Sequence, residues 1–367
     1  MIIELLPLGG SFYFYAMKDY LIVGAGLAGL AFAEAALASG KTIHVLDDAS
    51  QDASSVAAGL YNPVAIKRLK AIPDAAELLR NMFEFHSRVG EGKLIPLPLL
   101  RRFHSVEEQN TWFEAADSPG LLLYLSPNLV RKSFPGFESP FGFGEVLNAG
   151  YLSTREFIAG YRKILSDEGL LMNQTMEHES IVIEEDQCRY GDISYRYIVF
   201  AEGFGLHQNP YFNHLPLNGT KGEILLIRTA GLQLDSIVNA GIFILPLGDG
   251  IFRVGATYGH QDKTNLPTAA GRLELEEKLR EVLNCDYEVI GHEAGVRPTV
   301  RDRQPLLGRH TDYPRLAVLN GLGTRGVLFA PTLAKKLFEH LEYGLDLPWR
   351  YDIRRFKRPA FGSARKD

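Results

Sequence analysis

The first 50 residues alternate short apolar runs with glycine-containing turns. Residues 19–23 (DYLIV) form a β-branched run that ends at a glycine turn, which predicts a buried parallel strand. Residues 27–39 are small and apolar on every side and precede Gly40, a typical C-terminal stop, so we predict a buried helix. Residues 42–47 (TIHVLD) predict a second strand. These elements form one βαβ unit.

Amphipathic helices and short strands alternate further along the chain. Ser153 to Glu156 match the S-x-x-E capping box at the start of one helix. A GDG turn between two apolar runs predicts an antiparallel hairpin. Residues 90–145, rich in Pro, Gly and Phe, show no regular period. The pattern predicts helices over 74–89, from 153 onward, over 268–283 and 328–342, and strands over 181–185, 196–201, 223–228, 242–246, 251–256 and 316–319.

The composition is that of an ordinary globular protein. The chain has 367 residues, of which 46% are apolar and 23% charged, a length that favours two domains. The net charge of −5 gives no overall attraction for polyanions. Cys188 and Cys285 form no metal or disulfide framework, so a reducing cytoplasm is expected. The histidines occur singly, so no metal site is predicted, and no apolar run is long enough to predict a membrane span.

The two ends of the chain differ from the rest. Residues 1–16 are apolar but contain Glu4 and no Lys or Arg, unlike a signal peptide. We therefore expect Met17 to be the true start and residues 1–16 to be a loosely structured extension. Residues 350–367 carry seven basic against two acidic residues. This basic tail is a candidate phosphate contact, although such tails are more often solvated or paired with acidic surface.

A glycine-rich turn joins the first strand to the first helix. Residues 24–29 (GAGLAG) read G-x-G-x-x-G in the strand-to-helix context that this fingerprint requires. Gly24 permits the tight turn, Gly26 leaves room for a pyrophosphate, and Gly29 lets helix and strand pack closely. The helix N-terminus, at Leu27 and Ala28, offers free N–H groups to phosphates. The turn therefore predicts dinucleotide binding.

Two acidic residues end the second strand. Asp47, with Asp48 beside it, lies where a carboxylate accepts the hydroxyls of an adenosine ribose. This arrangement agrees with the fingerprint but does not separate FAD from NAD.

A second glycine-rich loop opens the last predicted helix. Residues 321–331 (GLGTRGVLFAP) contain three glycines, which let the backbone approach a flat ring. A helix N-terminus also suits the negative charge that a reduced flavin gains near N1 and the C2 carbonyl. We therefore predict cofactor contacts from Gly323, Thr324, Arg325, Gly326 and Val327. An ordinary helix-entry loop is the alternative.

Four segments together resemble the D-amino-acid oxidase and glycine oxidase superfamily of FAD-dependent oxidoreductases. They are residues 53–63 (ASSVAAGLYNP), 198–203 (IVFAEG), 295–298 (GVRP) and the loop at 321–331. The resemblance runs over nearly the whole chain. It implies an α/β, Rossmann-like FAD-binding domain with an antiparallel-sheet substrate domain, and FAD held non-covalently. It further implies cofactor contacts from Ser54, Ser55, Ala58, Gly59, Ile181, Ala201 and Gly203.

The resemblance also implies a chemistry. The family oxidises a C–N bond by hydride transfer to flavin N5, and water hydrolyses the imine. The expected substrate is therefore a small carboxylate-bearing amine or amino acid. Arg297 matches the arginine that grips the substrate carboxylate; a structural ion pair in the cluster Arg301, Asp302 and Arg303 is its alternative role. Phe243 stands where the family often has Tyr, and Tyr258 is the nearest candidate hydroxyl.

Shorter matches narrow the resemblance. Residues 59–63 (GLYNP), 302–306 (DRQPL), 321–326 (GLGTRG) and 345–356 (LDLPWRYDIRRF) look most similar to the oxidoreductase domain of the bifunctional tRNA 5-methylaminomethyl-2-thiouridine enzyme. A tRNA wobble-uridine modification enzyme, with tRNA as partner, is therefore an alternative function. An NAD-dependent dehydrogenase and a non-catalytic flavoprotein are the others. The sequence does not determine the oligomeric state.

The predicted elements divide into two discontinuous domains. The boundaries that we expect are 17–75, 146–210 and 292–347 for the FAD-binding domain, 76–145 and 211–291 for the substrate domain, and 348–367 for the tail.

Overall fold

The computed structural model describes residues 17–51, 53–90, 92 and 94–356. The predictions for residues 1–16 and for the end of the basic tail lie outside these residues. The strands are β1 (Lys18–Val23), β2 (Ile43–Asp47), β3 (Leu60–Tyr61), β4 (Val64–Ala65), β5 (Lys70–Ala71), β6 (Leu94–Pro96), β7 (Leu99–Arg102), β8 (Phe143–Val146), β9 (Gly150–Leu152), β10 (Leu171–Asn173), β11 (Ile181–Ile183), β12 (Cys188–Tyr190), β13 (Ile193–Phe200), β14 (Thr220–Arg228), β15 (Ile237–Asn239), β16 (Phe243–Gly248), β17 (Ile251–Gly255), β18 (Glu288–Arg297), β19 (Leu306–Arg309) and β20 (Leu316–Asn320). The helices are α1 (Leu27–Leu37), α2 (Ala53–Val56), α3 (Ala75–Val89), α4 (Val106–Ala116), α5 (Thr154–Asp167), α6 (Ala269–Arg280) and α7 (Gly326–Tyr343), with 3-10 turns at Ile66–Arg68, His178–Ser180, Gly203–Gln208 and Ile353–Phe356.

The first sheet is built on the predicted βαβ unit, which the structure confirms. Its strands run in the order β10-β2-β1-β13, with every neighbouring pair parallel. Strand β20 continues the parallel set beside the end of β13. Strands β11, β12 and β19 add antiparallel edges. The fold is therefore of the expected α/β, Rossmann-like class.

Helix α1 is buried, as its all-round apolar sequence predicts. It packs between β1 and α7, and its carboxyl end is followed by Gly40 in the left-handed conformation. Helix and strand approach so closely at the glycine turn that a Cβ on Gly29 would lie 1.8 Å from the carbonyl oxygen of Gly24. This contact fixes the direction in which the N-terminus of α1 points.

The second sheet is mainly antiparallel and has the order β18-β14-β17-β16-β15-β7-β8. The predicted hairpin of β16 and β17 is confirmed. The pairing of β15 with β7 is parallel. Helix α6 covers one face through Leu275 and Leu279, which pack on Leu225 and Ile227 of β14.

The predicted capping box at Ser153 was wrong. Ser153 is the N-cap residue of α5, but its side chain makes no capping hydrogen bond. A side-chain cap lies instead at Ser105, the N-cap of α4, whose hydroxyl accepts from the Glu108 N–H at 3.3 Å. The Glu108 carboxylate in turn accepts from the His104 N–H at 2.8 Å.

The long strand β18 was also missed. Its sequence, EVIGHEAGVR, is poor in strand-forming residues. Nine of its residues pair with β14, so tertiary pairing rather than local preference makes it a strand.

The division into two predicted domains stays a prediction. Helix α3, expected mainly in the substrate domain, packs through Leu78, Met82 and their neighbours against α7, which covers the first sheet. Strand β18, which crosses the expected boundary, pairs within the second sheet.

The described part of the basic tail packs onto the fold. Tyr351, Asp352 and Ile353 are buried. Arg354 pairs with Asp352 at 2.6 Å, and Arg355 pairs with Asp302 at 2.8 Å. Within the described residues, no helix is long and apolar enough to cross a bilayer, and no group of three His, Cys, Asp or Glu could hold a metal ion.

Substituting Gly29 tests the close contact of α1 with β1. The Gly29→Ala variant forces a Cβ onto a backbone oxygen, so we expect the free energy of unfolding to fall by about 3 kcal/mol. Urea unfolding measures this. Gly120→Ala is the control, because nothing lies within 4 Å of the added Cβ there. Equal unfolding midpoints for the two variants would contradict the packing argument.

Candidate active site

A large cleft opens at the carboxyl ends of the parallel strands. The ends of β1, β2, β10, β13 and β20 all line it, as ligand sites do in open α/β sheets. Strands β14, β15, β16 and β18 of the second sheet line it too. Its volume is about 2200 Å³, a figure that includes the space open to solvent at its mouth.

The fingerprint turn gives the cleft an anion-binding end. Gly24 has a φ of +104°, a conformation that L side chains rarely adopt. Gly26 is the N-cap of α1 and has no side chain to cap it, while the Leu27 N–H donates to Ser54 Oγ at 3.4 Å. The first N–H groups of a helix have no intrahelical acceptor. Those that follow Leu27 therefore remain available for phosphate oxygens.

Asp47 is held in place at the same end. One carboxylate oxygen accepts from the Ala25 N–H at 2.8 Å, and the other accepts from Arg162 at 2.8 Å and from the Ala49 N–H at 2.9 Å. These bonds orient the carboxylate and leave lone pairs for ribose hydroxyls. Asp48 also lines the cleft.

Most predicted site residues line this one cleft, although they come from distant parts of the chain. Gly29, Ser55 and Ile181 do not. Gly29 packs against the Gly24 carbonyl, and Ile181 is buried in the hydrophobic core beside the first sheet. The predicted residues that line the cleft are Gly24, Gly26, Leu27, Ala28, Asp47, Asp48, Ser54, Ala58, Gly59, Ala201, Gly203, Phe243, Tyr258, Arg297, Gly323, Thr324, Arg325, Gly326 and Val327.

The end of β10 lines the cleft where the sequence analysis expected a contribution from Ile181. Gln174, Thr175 and Met176 follow β10 directly and line the cleft. The β10–β2 pairing aligns Asn173 with Asp47, so these residues leave the sheet beside the Asp47 carboxylate. The sequence could have indicated this position. A strand that follows α5 adds to the parallel sheet, and the carboxyl ends of parallel strands face the crevice.

A polar network that the sequence analysis missed lies on the nucleotide side. The Glu202 carboxylate bonds His178 Nε2 at 2.8 Å and accepts from Asn209 Nδ2 at 2.8 Å. Glu202 and His178 both line the cleft. Nothing in the local sequence pattern marks these three residues as partners.

Arg297 comes from the end of β18 and reaches the opposite part of the cleft. It faces Gly222 on β14, where a Cβ would lie 2.0 Å from Arg297 Nη2. The guanidinium donates to the Thr257 carbonyl at 3.3 Å, and its Cζ lies 4.9 Å from the centre of the Tyr258 ring. Burial lowers the pKa of Arg297. Among the residues described, it has no carboxylate partner, so the alternative role as a structural ion pair is not supported.

The second glycine-rich loop joins the two halves of the cleft. The Gly323 N–H donates to the Pro298 carbonyl at 3.1 Å, which ties the loop to the strand of Arg297. Asn320 Nδ2 donates to the Gly203 carbonyl at 2.9 Å, which ties it to the nucleotide side. Arg325 is the N-cap of α7, and no side chain caps that helix either. The cleft therefore contains two helix N-termini that no N-cap side chain covers.

This geometry defines a dinucleotide-binding protein with a substrate region beside the bound group. The residues of the cleft fit FAD: Gly26 and the N-terminus of α1 would hold its pyrophosphate, Asp47 its ribose, and the N-terminus of α7 the flat ring that gains negative charge.

The family comparison agrees with this class. The model of the FAD dependent oxidoreductase family DAO matches residues 19–340, and the chain belongs to this family. The cofactor of the family is FAD, so the NAD-dependent dehydrogenase left open by the sequence no longer applies.

Relatives among characterised proteins include two kinds of enzyme. Glycine oxidase of Bacillus subtilis is 24% identical over 211 residues, which cover 53% of this chain and 57% of that protein. The tRNA 5-methylaminomethyl-2-thiouridine biosynthesis bifunctional protein MnmC of Aromatoleum aromaticum is 24% identical over 96% of this chain and 62% of that protein. The chain thus spans about 60% of the length of the curated relatives that it matches.

Solved structures share the fold. Glycine oxidase from Geobacillus kaustophilus superposes with a TM-score of 0.75 at 18% identity, covering 95% of this chain and 100% of that one. Iminodiacetate oxidase from Chelativorans sp. BNC1 superposes with a TM-score of 0.73 at 19% identity, covering 91% and 98%. At these identities the likeness supports the fold alone.

Substituting Gly26 separates cofactor binding from folding. A Cβ on Gly26 meets only the Ser54 side chain, at 3.1 Å from its Oγ, so the fold should tolerate Gly26→Ala. The same Cβ occupies space beside the phosphates, so we expect FAD affinity to fall about tenfold or more. A fluorescence titration of the apoprotein with FAD measures this, with urea unfolding alongside and Gly120→Ala as control. Unchanged FAD affinity would mean that the pyrophosphate does not lie at this turn.

Proposed function

We propose that the protein oxidises the C–N bond of a small amine that carries a carboxylate, with secondary amines favoured. The hydride leaves the substrate carbon, and water then hydrolyses the imine to a carbonyl compound and a shorter amine. The observation that carries this proposal is Arg297, a largely desolvated guanidinium that lines the cleft without a carboxylate partner among the described residues.

A guanidinium in such a position favours an anionic ligand. Burying a charge is costly unless it is paired, and the carbonyl of Thr257 satisfies only one of the five guanidinium N–H donors. A substrate carboxylate fits the planar guanidinium in a bidentate manner. Such a pair orients the substrate and so keeps one carbon at a fixed place in the cleft.

The walls beside Arg297 suit a small aliphatic amine. Phe243 packs with Val56, Ile224 and Ala256 to form an apolar surface. It offers no hydroxyl, unlike the Tyr often found there in the family, so the substrate region differs from that of a typical glycine oxidase. Tyr258, 58% exposed, brings the nearest phenolic hydroxyl to the mouth of the cleft.

The flavin-side residues of the chain have an electrostatic task. When bound, FAD supplies the acceptor for the hydride. The free N–H groups and positive end of α7, opened by Gly323 to Gly326, stabilise negative charge that develops beside them. The apolar surface around Phe243 offers no polar group to hold water beside the reacting carbon.

A tRNA wobble-uridine modification is the second candidate function. Relatives of the tRNA-modifying kind align with 90–96% of this chain over several species, and removal of an N-carboxymethyl group is the same C–N chemistry. The described tail arginines Arg354 and Arg355 are paired with Asp352 and Asp302, which leaves less charge there for phosphates. The small-molecule reaction is therefore the better-supported proposal.

A substrate panel tests the proposed function directly. Sarcosine, glycine, iminodiacetate and an N-carboxymethylaminomethyl nucleoside are mixed anaerobically with the FAD-loaded protein, and loss of visible flavin absorbance is followed. Dimethylamine, which lacks the carboxylate, is the matched control for sarcosine. We expect sarcosine or iminodiacetate to reduce the flavin and dimethylamine to leave it oxidised. Reduction by none of the carboxylates would defeat the proposal, and a non-catalytic flavoprotein would remain.

Replacing Arg297 tests its role. Arg297→Ala should remove about 2–5 kcal/mol of transition-state stabilisation for the carboxylate substrate. We therefore expect kcat/KM to fall thirtyfold or more while FAD stays bound. Arg297→Lys keeps the charge but loses the bidentate geometry, so its loss should be smaller. Arg189→Ala removes an exposed arginine outside the cleft lining and is the control. An unchanged kcat/KM in Arg297→Ala would remove the assigned role.

Gly222 tests how Arg297 is positioned. Gly222→Ala places a Cβ 2.0 Å from Arg297 Nη2 and must displace the guanidinium. We expect kcat/KM to fall about tenfold. The double variant Gly222→Ala with Arg297→Ala should be no worse than Arg297→Ala alone, because the two positions act through one group. Additive losses in this double-mutant cycle would show that Gly222 acts independently of Arg297.

A further inference from the structure

The mouth of the cleft carries a group of positive side chains without acidic partners. Lys67, Arg68 and Arg303 are exposed, and Arg325 is half-buried and lines the cleft. In the described part of the chain, none of the four forms an ion pair or a side-chain hydrogen bond. We call these four residues the outer cation cluster.

Lys67 and Arg325 lie beside the Arg297 site, and Arg68 and Arg303 are close enough to Arg325 for their charges to act on it. Lys67 Nζ lies 5.8 Å from the centre of the Tyr258 ring, against which Arg297 also packs. Burial lowers the pKa of Arg325, and the positive charges of Arg303 and Arg68 lower it further. The Tyr258 phenol acts in the opposite direction and raises the pKa of Arg325.

Several other cations of this protein are paired. Lys41 and Arg196 share the Glu342 carboxylate, at 2.5 and 3.0 Å, and Lys221 is paired with Asp262 at 2.5 Å. Arg325 is the half-buried member of the cluster, and like charges act on it rather than a carboxylate. An anion bound beside Arg325 would therefore be favoured.

A single substrate carboxylate does not account for the positive charge of the outer cation cluster. In the proposed function Arg297 alone holds the carboxylate, deeper in the cleft than the exposed Lys67, Arg68 and Arg303. The flavin contacts expected of residues 323–327 come from backbone N–H groups, which leaves the Arg325 guanidinium without a ligand.

We propose that the outer cation cluster is a second anion subsite. It selects amines that carry a second anionic group, a carboxylate or a phosphate, on the nitrogen substituent that points out of the cleft. The inference rests on the proposed function and makes its substrate a dianion such as a bis-carboxylate secondary amine. Arg325 contacts the second anion, while Lys67, Arg68 and Arg303 attract it electrostatically.

Matched substrates test the subsite in the FAD-loaded protein. Anaerobic flavin reduction is compared for sarcosine, with one carboxylate, iminodiacetate, with two, and N-(phosphonomethyl)glycine, with a carboxylate and a phosphonate. We expect kcat/KM for at least one dianion to exceed that for sarcosine about tenfold, and this preference to shrink as salt is added. Whichever dianion is faster identifies the second anion as carboxylate or phosphate. Equal values for all three would overturn the subsite.

Two variants locate the preference. The double variant Arg68→Ala with Arg303→Ala should reduce the dianion-to-sarcosine ratio about fivefold or more. Arg189→Ala removes one exposed charge outside the cleft and should keep the ratio. An unchanged ratio in the double variant, or an equal drop in Arg189→Ala, would overturn the assignment.

Redox-inert acids keep this test separate from the proposed function. Binding of succinate and of butyrate, which differ in one carboxylate, is measured from the perturbation of the flavin spectrum. Tighter binding of succinate that Arg68→Ala with Arg303→Ala abolishes supports the subsite even when no amine reduces the flavin. Equal affinity for the two acids overturns the subsite even when sarcosine is oxidised.

Discussion

The close approach of α1 to β1 at the fingerprint turn is the constraint on which the cleft depends. Only a glycine at position 29 lets the helix backbone come within contact of the Gly24 carbonyl. That contact directs the uncapped N-terminus of α1 toward the carboxyl edge of the sheet, where the ends of β2, β10, β13 and β20 also finish. The parallel sheet thereby gathers five chain segments around one cofactor position.

The second sheet contributes by shaping space rather than by adding many polar groups. Gly222 on β14 and Arg297 on β18 are neighbours across an antiparallel pair, and the missing side chain of the first makes room for the guanidinium of the second. Phe243 closes the apolar side of the same region. The second glycine-rich loop then bonds both halves, through Pro298 and Gly203, so that nucleotide and substrate regions share one rigid boundary.

Charge is distributed unevenly between the surface and the cleft. The chain as a whole is acidic, yet Arg297 and Arg325 line the cleft without carboxylate partners among the described residues. The outer regions show the opposite arrangement, in which Glu342 binds both Lys41 and Arg196, and Asp352 and Asp302 bind the tail arginines. Asp47, Asp48 and Glu202 also line the cleft, so the positive charge is confined to the part around Arg297 and Arg325. It favours anionic ligands there without making the whole surface attractive to polyanions.

Elements with local signals could be predicted from the amino-acid sequence. The βαβ unit, the fingerprint at 24–29, the hairpin of β16 and β17 and most helices follow from periodicity and turn residues over short windows. The resemblance in four short segments was enough to indicate FAD and the family. Three features became visible in the tertiary structure alone: β18 is a strand, the residues after β10 line the cleft while Ile181 does not, and Gly222 makes room for Arg297. Each of these depends on contacts between residues far apart in the chain, and neither hydrophobic period nor motif spacing carries information about such contacts.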